Sequence, residues 1–240
     1  MTSQNKRPRR GHGEGAIYWR ESRKRWIAEL PLEDGKSKYF SGKTYAEAQR
    51  RLKQAQGEQQ QGKLAEAREL IEKALKSYPE SAEAHCNLGV VLHALESREE
   101  AVASFGKSLA LNPKDAEVHY NRGTVLTELG RHQEALESYD RALALRPDYP
   151  RALYNRGSAL TELARFDEAL AGYDRALASL PENVDLLNNR ANVLATLGRL
   201  DEALQAYDRV LALQPGHPEA RENRERVQAQ IQALQRDRPA

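Results

Sequence analysis

Apolar and small residues return at a fixed interval of 34 residues through most of the chain. Within each interval the pattern indicates two amphipathic helices, broken near Gly62, Gly130 or Gly198 and ended by a proline, which cannot continue a helix. The prolines that mark the interval are Pro79, Pro113, Pro147, Pro181 and Pro215. The pattern therefore predicts a helical repeat protein.

Setting each proline as position 32 gives five repeats, over residues 48–81, 82–115, 116–149, 150–183 and 184–217. Position 8 is always glycine or alanine, position 20 is always alanine, and position 24 is isoleucine, phenylalanine or tyrosine. Small residues let two helices approach closely, and the large side chains fill the remaining space. Because no single repeat buries its apolar face, we expect the repeats to stack, with residues 218–240 as a capping helix.

Residues 14–60 carry a different pattern, in which three β-prone runs, AIYWR, RWIAELPL and SKYFS, are separated by polar turns. Thr44 and Glu47 then form a capping box, which predicts a helix from Tyr45 to about Gln61. This helix coincides with the first helix of the degenerate repeat 48–81. We therefore expect one helix to be shared by a small three-stranded antiparallel sheet and the array. Residues 1–13 are expected to form a disordered basic tail.

Segments such as GRHQEALESYDRALALRPDYP, which begins at Gly130, resemble tetratricopeptide repeats (TPRs). That family has small residues at positions 8 and 20, a large apolar residue at 24 and proline at 32, and the resemblance covers residues 48–217. It implies a mainly α-helical protein, a right-handed α-solenoid of about five helix-turn-helix repeats plus the capping helix, preceded here by the small sheet. It also implies a concave groove, lined by the inner helices, that binds a protein or peptide.

Asparagine recurs at position 6 of four repeats. Since an α-helix turns about 100° per residue, position 6 points away from the apolar stripe, and position 9 shares its face. A carboxamide offers both a donor and an acceptor, which an extended peptide backbone requires, and the row is similar to the asparagine ladder of O-linked N-acetylglucosamine transferases. The candidate groove residues are Asn87, Asn121, Asn155, Asn189, Tyr120, Tyr154, Thr124, Ser158 and Asn192.

An alternative interpretation is that these asparagines are ordinary polar helix residues that bond to a neighbouring helix. Against it, asparagine is a mediocre helix former that an indifferent exposed position would replace. Both interpretations remain open from the sequence.

Arginine at position 7 and aspartate one residue after the position-24 tyrosine recur with the same interval. We interpret the two rows as ion pairs between helices that fix the stacking register. The residues are Arg122, Arg156 and Arg190, with Asp140, Asp174 and Asp208.

The net charge of +2 conceals an asymmetry, because residues 1–55 carry 14 Lys and Arg against 6 Asp and Glu. A basic segment on an acidic body suggests an anionic partner at one end, most commonly nucleic acid. The sequence has no secretory signal and no apolar run long enough to span a membrane, and its single Cys86 fits a reducing compartment. We expect a cytoplasmic protein with no membrane partner.

The segments GAIYWRESRKRWIAELPL and KYFSGKTYAEAQRRL resemble the arm-type DNA-binding domain of phage and transposon tyrosine recombinases. In that family a three-stranded sheet enters the major groove of double-stranded DNA while a helix braces its other side. Alternation along the second strand places Trp26, Ala28 and Leu30 toward the helix, and Arg25, Ile27 and Glu29 outward. The candidate DNA-binding residues are Tyr18, Arg20, Arg23, Lys24, Arg25, Lys36 and Lys38. The competing interpretation is a decayed recombinase fragment or a basic module that docks on protein.

No catalytic constellation, cofactor motif or metal-ligand spacing stands out, and the six histidines are scattered. We therefore expect no enzyme, no cofactor and no metal. The leading hypothesis is an interaction scaffold whose groove binds a peptide or extended protein segment and whose basic module tethers that partner to DNA. The alternative is a DNA-binding protein of mobile-element origin whose array serves self-association.

Overall fold

The computed structural model describes residues 16–20, 25–32 and 36–236, which divide into two compact units, Met1–Leu70 and Ile71–Ala240. The predicted basic tail, residues 1–13, lies outside the described residues. Among the described helices, none combines the length and the apolar composition that crossing a membrane requires.

The first unit contains the predicted antiparallel sheet, with strands β1 (Ala16–Arg20), β2 (Arg25–Pro31) and β3 (Ser37–Gly42) in the order β1-β2-β3. Phe40 pairs with Ala28, and Ala28 pairs with Ile17. These three residues share one face of the sheet, because paired residues in an antiparallel ladder point to the same side.

Helix α1 (Tyr45–Ser77) begins with the predicted capping box. The backbone N–H of Glu47 donates to Thr44 Oγ1 at 3.2 Å, and the Glu47 carboxylate accepts from the Lys43 N–H at 2.8 Å. The second of these bonds holds the pKa of Glu47 below its usual range. The first turns of α1 cover the sheet, since Ala48 and Leu52 are buried against Ala28 and Leu30.

The prediction of a helix break near Gly62 is wrong, because α1 continues through this residue to Ser77. The predicted repeat 48–81 is therefore one helix in place of a helix pair. In this segment Arg51, Gln54 and Glu58 occupy positions 4, 7 and 11. A first helix without an apolar stripe gains little by folding back on a second, so the uninterrupted helix is favoured.

The predicted helical array is confirmed, with one helix pair fewer than the five repeats expected, because α1 takes the place of the first pair. Four helix pairs and a final helix follow in the described residues. Their bounds are α2 (Ala82–Ala94), α3 (Arg98–Leu111), α4 (Ala116–Glu128), α5 (His132–Leu145), α6 (Pro150–Glu162), α7 (Phe166–Ser179), α8 (Val184–Thr196), α9 (Leu200–Leu213) and α10 (Pro218–Arg236). Within each pair the two helices pack together, and each pair packs on the next. The buried residues form two apolar clusters between the helices, and both clusters include residues of α5 and α6.

The small residue at position 8 lies directly under the ring at position 24. A Cβ atom added to Gly123 would lie 2.6 Å from the Tyr139 ring, and one added to Gly157 would lie 2.6 Å from the Tyr173 ring. Only glycine permits this approach without displacement of the ring. The predicted packing role of position 8 is confirmed at both places.

The turn inside each pair uses a left-handed backbone conformation at position 15. Gly130 and Gly198 have φ values of 71° and 74°, while Glu96 and Ala164 adopt the same region at 61° and 55°. Each turn returns its chain so that the second helix packs against the first.

Candidate functional site

The first helices of consecutive repeats contact one another along one side, which we call the inner face: the side of α2, α4, α6, α8 and α10 that carries positions 2, 5, 6, 9 and 13. Hydrogen bonds between helices run across it. Asn189 Nδ2 donates to Tyr154 Oη at 3.0 Å, and Asn155 Nδ2 lies 3.5 Å from Tyr120 Oη and 3.4 Å from Thr124 Oγ1. The inner face is thus a connected polar surface.

The four predicted asparagines fall into two groups on this face. Asn155 and Asn189 are half-buried and use their amide nitrogens to bond to the preceding helix. Asn87 is exposed and Asn121 is half-buried, and neither side chain bonds to another residue that the structure describes. The difference at Asn121 has a direct cause, because the preceding repeat has Cys86 at position 5 where the next two repeats have tyrosine.

The hydrogen bonds formed by the position-9 side chain differ from repeat to repeat. Thr124 and Ser158 donate to backbone carbonyls of their own helices, at 3.1 Å and 3.3 Å. Asn192 is more deeply engaged, since its Oδ1 accepts from Tyr207 Oη at 2.5 Å and from Asn223 Nδ2 at 2.9 Å. All three side chains are thus already engaged in hydrogen bonds within the array.

The asparagine row continues into α10, which the sequence analysis missed. Asn223 and Arg224 lie 34 residues after Asn189 and Arg190, and Asn223 bonds to Asn192 as well as accepting from Arg226. The signal that identifies them is the Asn-Arg pair itself, which persists although α10 has Glu225 where the other repeats have a small residue at position 8.

A cleft of about 270 Å³ opens on the inner face between α6 and α8. Tyr120 and Tyr154 supply aromatic surface, while Arg151, Asn155 and Asp185 supply polar groups at its edge. The remaining lining residues are Pro150, Leu180, Asn183 and Leu186. A concave site with apolar walls and a few polar groups is typical of side-chain recognition.

The start of α6, beside this cleft, breaks two rules that the other first helices follow. Ser81, Asp115 and Asn183 cap α2, α4 and α8 with their side chains, whereas Tyr149 makes no such bond. Its ring instead packs 5.0 Å from that of Tyr120. A missing cap costs about 1 kcal/mol.

Arg151 is the second departure. The corresponding residues of the other first helices are Glu83, Glu117, Asp185 and Glu219, all acidic. Acidic residues suit the positive N-terminal end of a helix, and a cation there is unfavourable by about 0.3–1 kcal/mol. The start of α6, beside the cleft, thus carries two features that destabilise the helix: a missing side-chain cap and a cation in the first turn. Such locally unfavourable features are expected at functional sites.

The charges of the inner face are mostly negative. Burial raises the pKa of the Cys86 thiol, and Asp115, Glu117 and Glu83 raise it further. Burial likewise raises the pKa of Tyr154, with Asp185 and Glu219 adding to the shift against the hydrogen bond from Asn189. Two groups at different places on this face therefore experience an acidic environment.

The predicted ion pairs join consecutive repeats. Arg156 Nε lies 2.6 Å from Asp140 Oδ1, and Arg190 Nε lies 2.6 Å from Asp174 Oδ1. Asp208 pairs at 2.5 Å with Arg224, so the row extends one step beyond the prediction.

Arg122 does not follow this pattern, because the preceding repeat has Gly106 where the others have aspartate. Its guanidinium donates to Ser138 Oγ at 2.8 Å instead.

In the sheet, three of the candidate DNA-binding residues lie on the face opposite α1. Arg20 and Arg25 are exposed and directly paired across β1 and β2. Tyr18 pairs with Ile27 on the same face. Ile27, which we expected to point outward, is 4% exposed, because it is central in the sheet and flanked on both sides.

The predicted outward position of Lys38 is wrong. Lys38 pairs with Leu30, so it lies on the side of the sheet that α1 covers. The register has a clear reason: burying Phe40 against Ala28 fixes the phase of β3, which leaves Tyr39 on the other side. Lys36 precedes β3, and Arg23 and Lys24 lie outside the described residues.

Comparison with known families identifies the array. A profile described as "Tetratricopeptide repeat" matches residues 52–107 and 154–218, and one described as "TPR repeat" matches residues 93–130 and 123–163. The chain belongs to the tetratricopeptide repeat family. Because the matches begin at residue 52, they say nothing about strands β1–β3. No curated protein matches the chain.

Solved TPR structures resemble this TPR chain over most of its length. One described as "YrrB: a TPR protein with an unusual peptide-binding site" is 27% identical, with a TM-score of 0.65, and the alignment covers 68% of this chain and 84% of that one. MamA is 22% identical, with a TM-score of 0.63 and coverages of 67% and 94%. A TPR protein from Parabacteroides merdae ATCC 43184 is 23% identical, with a TM-score of 0.63 and 75% of each chain covered.

The described residues of this TPR protein contain no group of three or more His, Cys, Asp and Glu side chains placed to hold a metal ion. Several of the described histidines bond to neighbouring groups. His85 and His119 place Nε2 at 2.9 Å and 3.1 Å from the carbonyls of Pro79 and Pro113. His93 Nε2 lies 2.9 Å from the Glu128 carboxylate.

Proposed function

We propose that this protein is a non-enzymatic interaction scaffold whose inner face binds an extended segment of a partner protein. Membership of the TPR family supports the general role, as does the likeness to a structure described as having a peptide-binding site. The observation that carries the proposal is the tyrosine-lined cleft of about 270 Å³ within a row of amides and hydroxyls.

The geometry of stacked helices suits an extended ligand. Neighbouring helices lie roughly 8–10 Å apart, and an extended chain rises about 3.3 Å per residue. One asparagine then meets about every third residue of the ligand. Asn87 and Asn121 offer whole carboxamides, while Asn155 and Asn189 offer the oxygens that their bonds to the preceding helix do not use.

The test compares two double variants of the full chain in selection from a displayed peptide library. Replacement of Asn121 and Asn155 with alanine is expected to weaken binding of the selected peptides about tenfold, through two lost hydrogen bonds. Replacement of Gln133 and Gln205, exposed carboxamides on the second helices, is the matched control and leaves binding unchanged. Failure to select any peptide, or equal binding by both variants, overturns the proposal.

We further propose that the sheet face opposite α1 contacts double-stranded DNA and thereby tethers the bound partner. The adjacent, exposed Arg20 and Arg25 support this role, since arginines on a sheet face neutralise phosphates and reach base edges. The resemblance to recombinase arm-binding domains points the same way. The alternative is a DNA-binding protein of mobile-element origin whose TPR array serves self-association.

A gel-shift titration of the full chain with duplex DNA at several salt concentrations tests the tether. Replacement of Arg20 and Arg25 with alanine is expected to reduce the affinity and the steepness of its salt dependence. Replacement of Arg50 and Lys53, exposed on α1, removes the same charge elsewhere and leaves both nearly unchanged. Absence of a shift at low salt, or equal losses in both variants, removes DNA from the function.

A further inference from the structure

We propose that the inner face selects its ligand by an ordered pattern of charge: two basic residues, one acidic residue and two further basic residues, at a spacing of about three. This inference rests on the proposed binding of an extended segment. It adds the chemistry of the partner, which neither the fold nor the family specifies.

The pattern is set by position 2 of five consecutive first helices. This row runs Glu83, Glu117, Arg151, Asp185 and Glu219, with four acids around one central base. All five side chains are exposed. None of them forms an ion pair with another residue that the structure describes, so their charges remain available to a ligand.

The row lies where a bound segment would pass. Arg151 and Asp185 line the cleft beside Tyr154 and Asn155, and Glu219 accepts a 3.1 Å hydrogen bond from Asn192. Position 2 therefore adjoins the asparagine row along the inner face. One step between helices corresponds to about three residues of extended chain, so consecutive charges of the row meet every third ligand residue.

Helix-dipole effects account for the four acids but not for the central base. An acidic residue in the first turn is favourable in any helix, whereas Arg151 is placed against the dipole. The acid of Glu162, at the far end of α6, also lies on this face, beside Ser158 and Asn189 in a smaller cleft. The negative surface thus extends beyond the first turns, and Arg151 interrupts it.

The tyrosines strengthen the preference for basic side chains. The guanidinium of Arg146 already lies 4.6 Å from the centre of the Tyr149 ring, in cation–π geometry. Tyr120 and Tyr154 offer similar ring surfaces to the cleft. Lysine and arginine side chains can therefore gain contact with ring faces while their charges approach the acids.

Complementarity then specifies the ligand. The row presents acids at its first two steps, a base at the third and acids at the last two. A complementary ligand therefore carries two basic residues, one acidic residue and two further basic residues in that order. The pattern is the same in both chain directions, so it selects the ligand whether the ligand runs parallel or antiparallel to the array.

Two synthetic 13-residue peptides of equal composition provide the test, with Gly and Ser between the charged residues. One carries Lys, Lys, Glu, Lys and Lys at every third position, and the other has the Glu moved to the end. Fluorescence anisotropy with the full chain at low salt is expected to show about tenfold tighter binding of the first peptide, a difference that declines as salt is added.

Variants assign the preference to the row. Replacement of Glu117 with Gln and Asp185 with Asn is expected to lower affinity for the first peptide about tenfold. Asp167→Asn with Asp201→Asn is the matched control, because these acids occupy the same second helical position in α7 and α9. Arg151→Glu is expected to shift the preference to a peptide with five lysines.

Equal binding of the two isomers by the wild-type chain overturns the charge pattern. If library peptides still bind through Asn121 and Asn155 in that case, the proposed function stands and only its ligand chemistry is wrong. If no peptide binds, both fail. A last outcome concerns self-association of the peptide-free chain at low salt. If the chain assembles and the double variant Glu117→Gln with Asp185→Asn abolishes the assembly, the inner face binds a second copy. That result overturns its assignment to a partner protein.

Discussion

At the scale of single residues, the turn at position 15 requires a left-handed backbone conformation, but only two of the four residues there are glycines. Gly130 and Gly198 adopt positive φ freely, whereas Ala164 is held at 55° and Glu96 at 61°. A side chain in this region costs about 1–2 kcal/mol. The surrounding helix pairs impose the turn on whatever residue stands there.

Ala164→Gly is therefore expected to stabilise the protein by about 0.5–1 kcal/mol, because relief of the left-handed strain exceeds the added entropy of the unfolded chain. Gly198→Ala, at a φ of 74°, is the reverse experiment and is expected to destabilise it by a similar amount. Urea unfolding followed by far-UV circular dichroism measures both. A loss of stability in Ala164→Gly would contradict the strain.

At the scale of elements, the same row of residues joins the second helix of one repeat to the first helix of the next. Arg156, Arg190 and Arg224 each reach an aspartate 16 residues earlier. Among the described junctions from α3 to α10, the α3–α4 junction lacks this pair, because Gly106 leaves Arg122 to bond with Ser138. The first full junction of the array is thus joined differently from the later ones.

Gly106→Asp is expected to stabilise the protein by about 0.5–1 kcal/mol. The change removes a glycine from a helix interior and supplies Arg122 with the missing carboxylate, and a Cβ at this position meets open space. Gly106→Asn separates the two effects, since it gains the helix propensity without the charge. The difference between the two variants in urea unfolding should shrink at high salt. A difference that salt leaves unchanged would contradict the ion pair.

Periodicity identified the helix pairs from the sequence because each position recurs in the same environment. Gly123 and Tyr139 could be assigned to the core in this way, and the structure confirms both. The failures occur where no repetition constrains the pattern. Gly62 lies in a polar helix and Lys38 in a strand with two adjacent aromatic residues. No repeated pattern there indicated that the helix continues through Gly62 or which side of the sheet Lys38 occupies. Asn155 shows a further limit, since its bond to Tyr120 depends on how two repeats stack.

At the scale of the whole molecule, α10 extends the array by packing against α9 and α8 in the place of a first helix. Ala220 and Val227 are buried at 0% and 3% exposure, and Arg224 pairs with Asp208 as Arg190 pairs with Asp174. Asn223 also bonds to α8, although its partner is Asn192. Without α10, the pair of α8 and α9 would present its apolar side to water. In this chain that side includes Val210 and Tyr207, both nearly inaccessible.

Truncation after Gly216 is therefore expected to lower the free energy of unfolding by about 3 kcal/mol or more, since it exposes side chains on both sides of the α9–α10 contact. Truncation after Gln232 removes only the exposed end of α10 and is expected to have little effect. Urea unfolding and binding of an apolar dye to the native state measure the two.

The shorter chain should also lose Glu219, the last acid of the position-2 row, so affinity for the Lys-Lys-Glu-Lys-Lys peptide should fall in that chain alone. If the two truncated chains unfolded with equal free energy, α10 would contribute nothing to the stability of the array, whatever its contribution to the inner face.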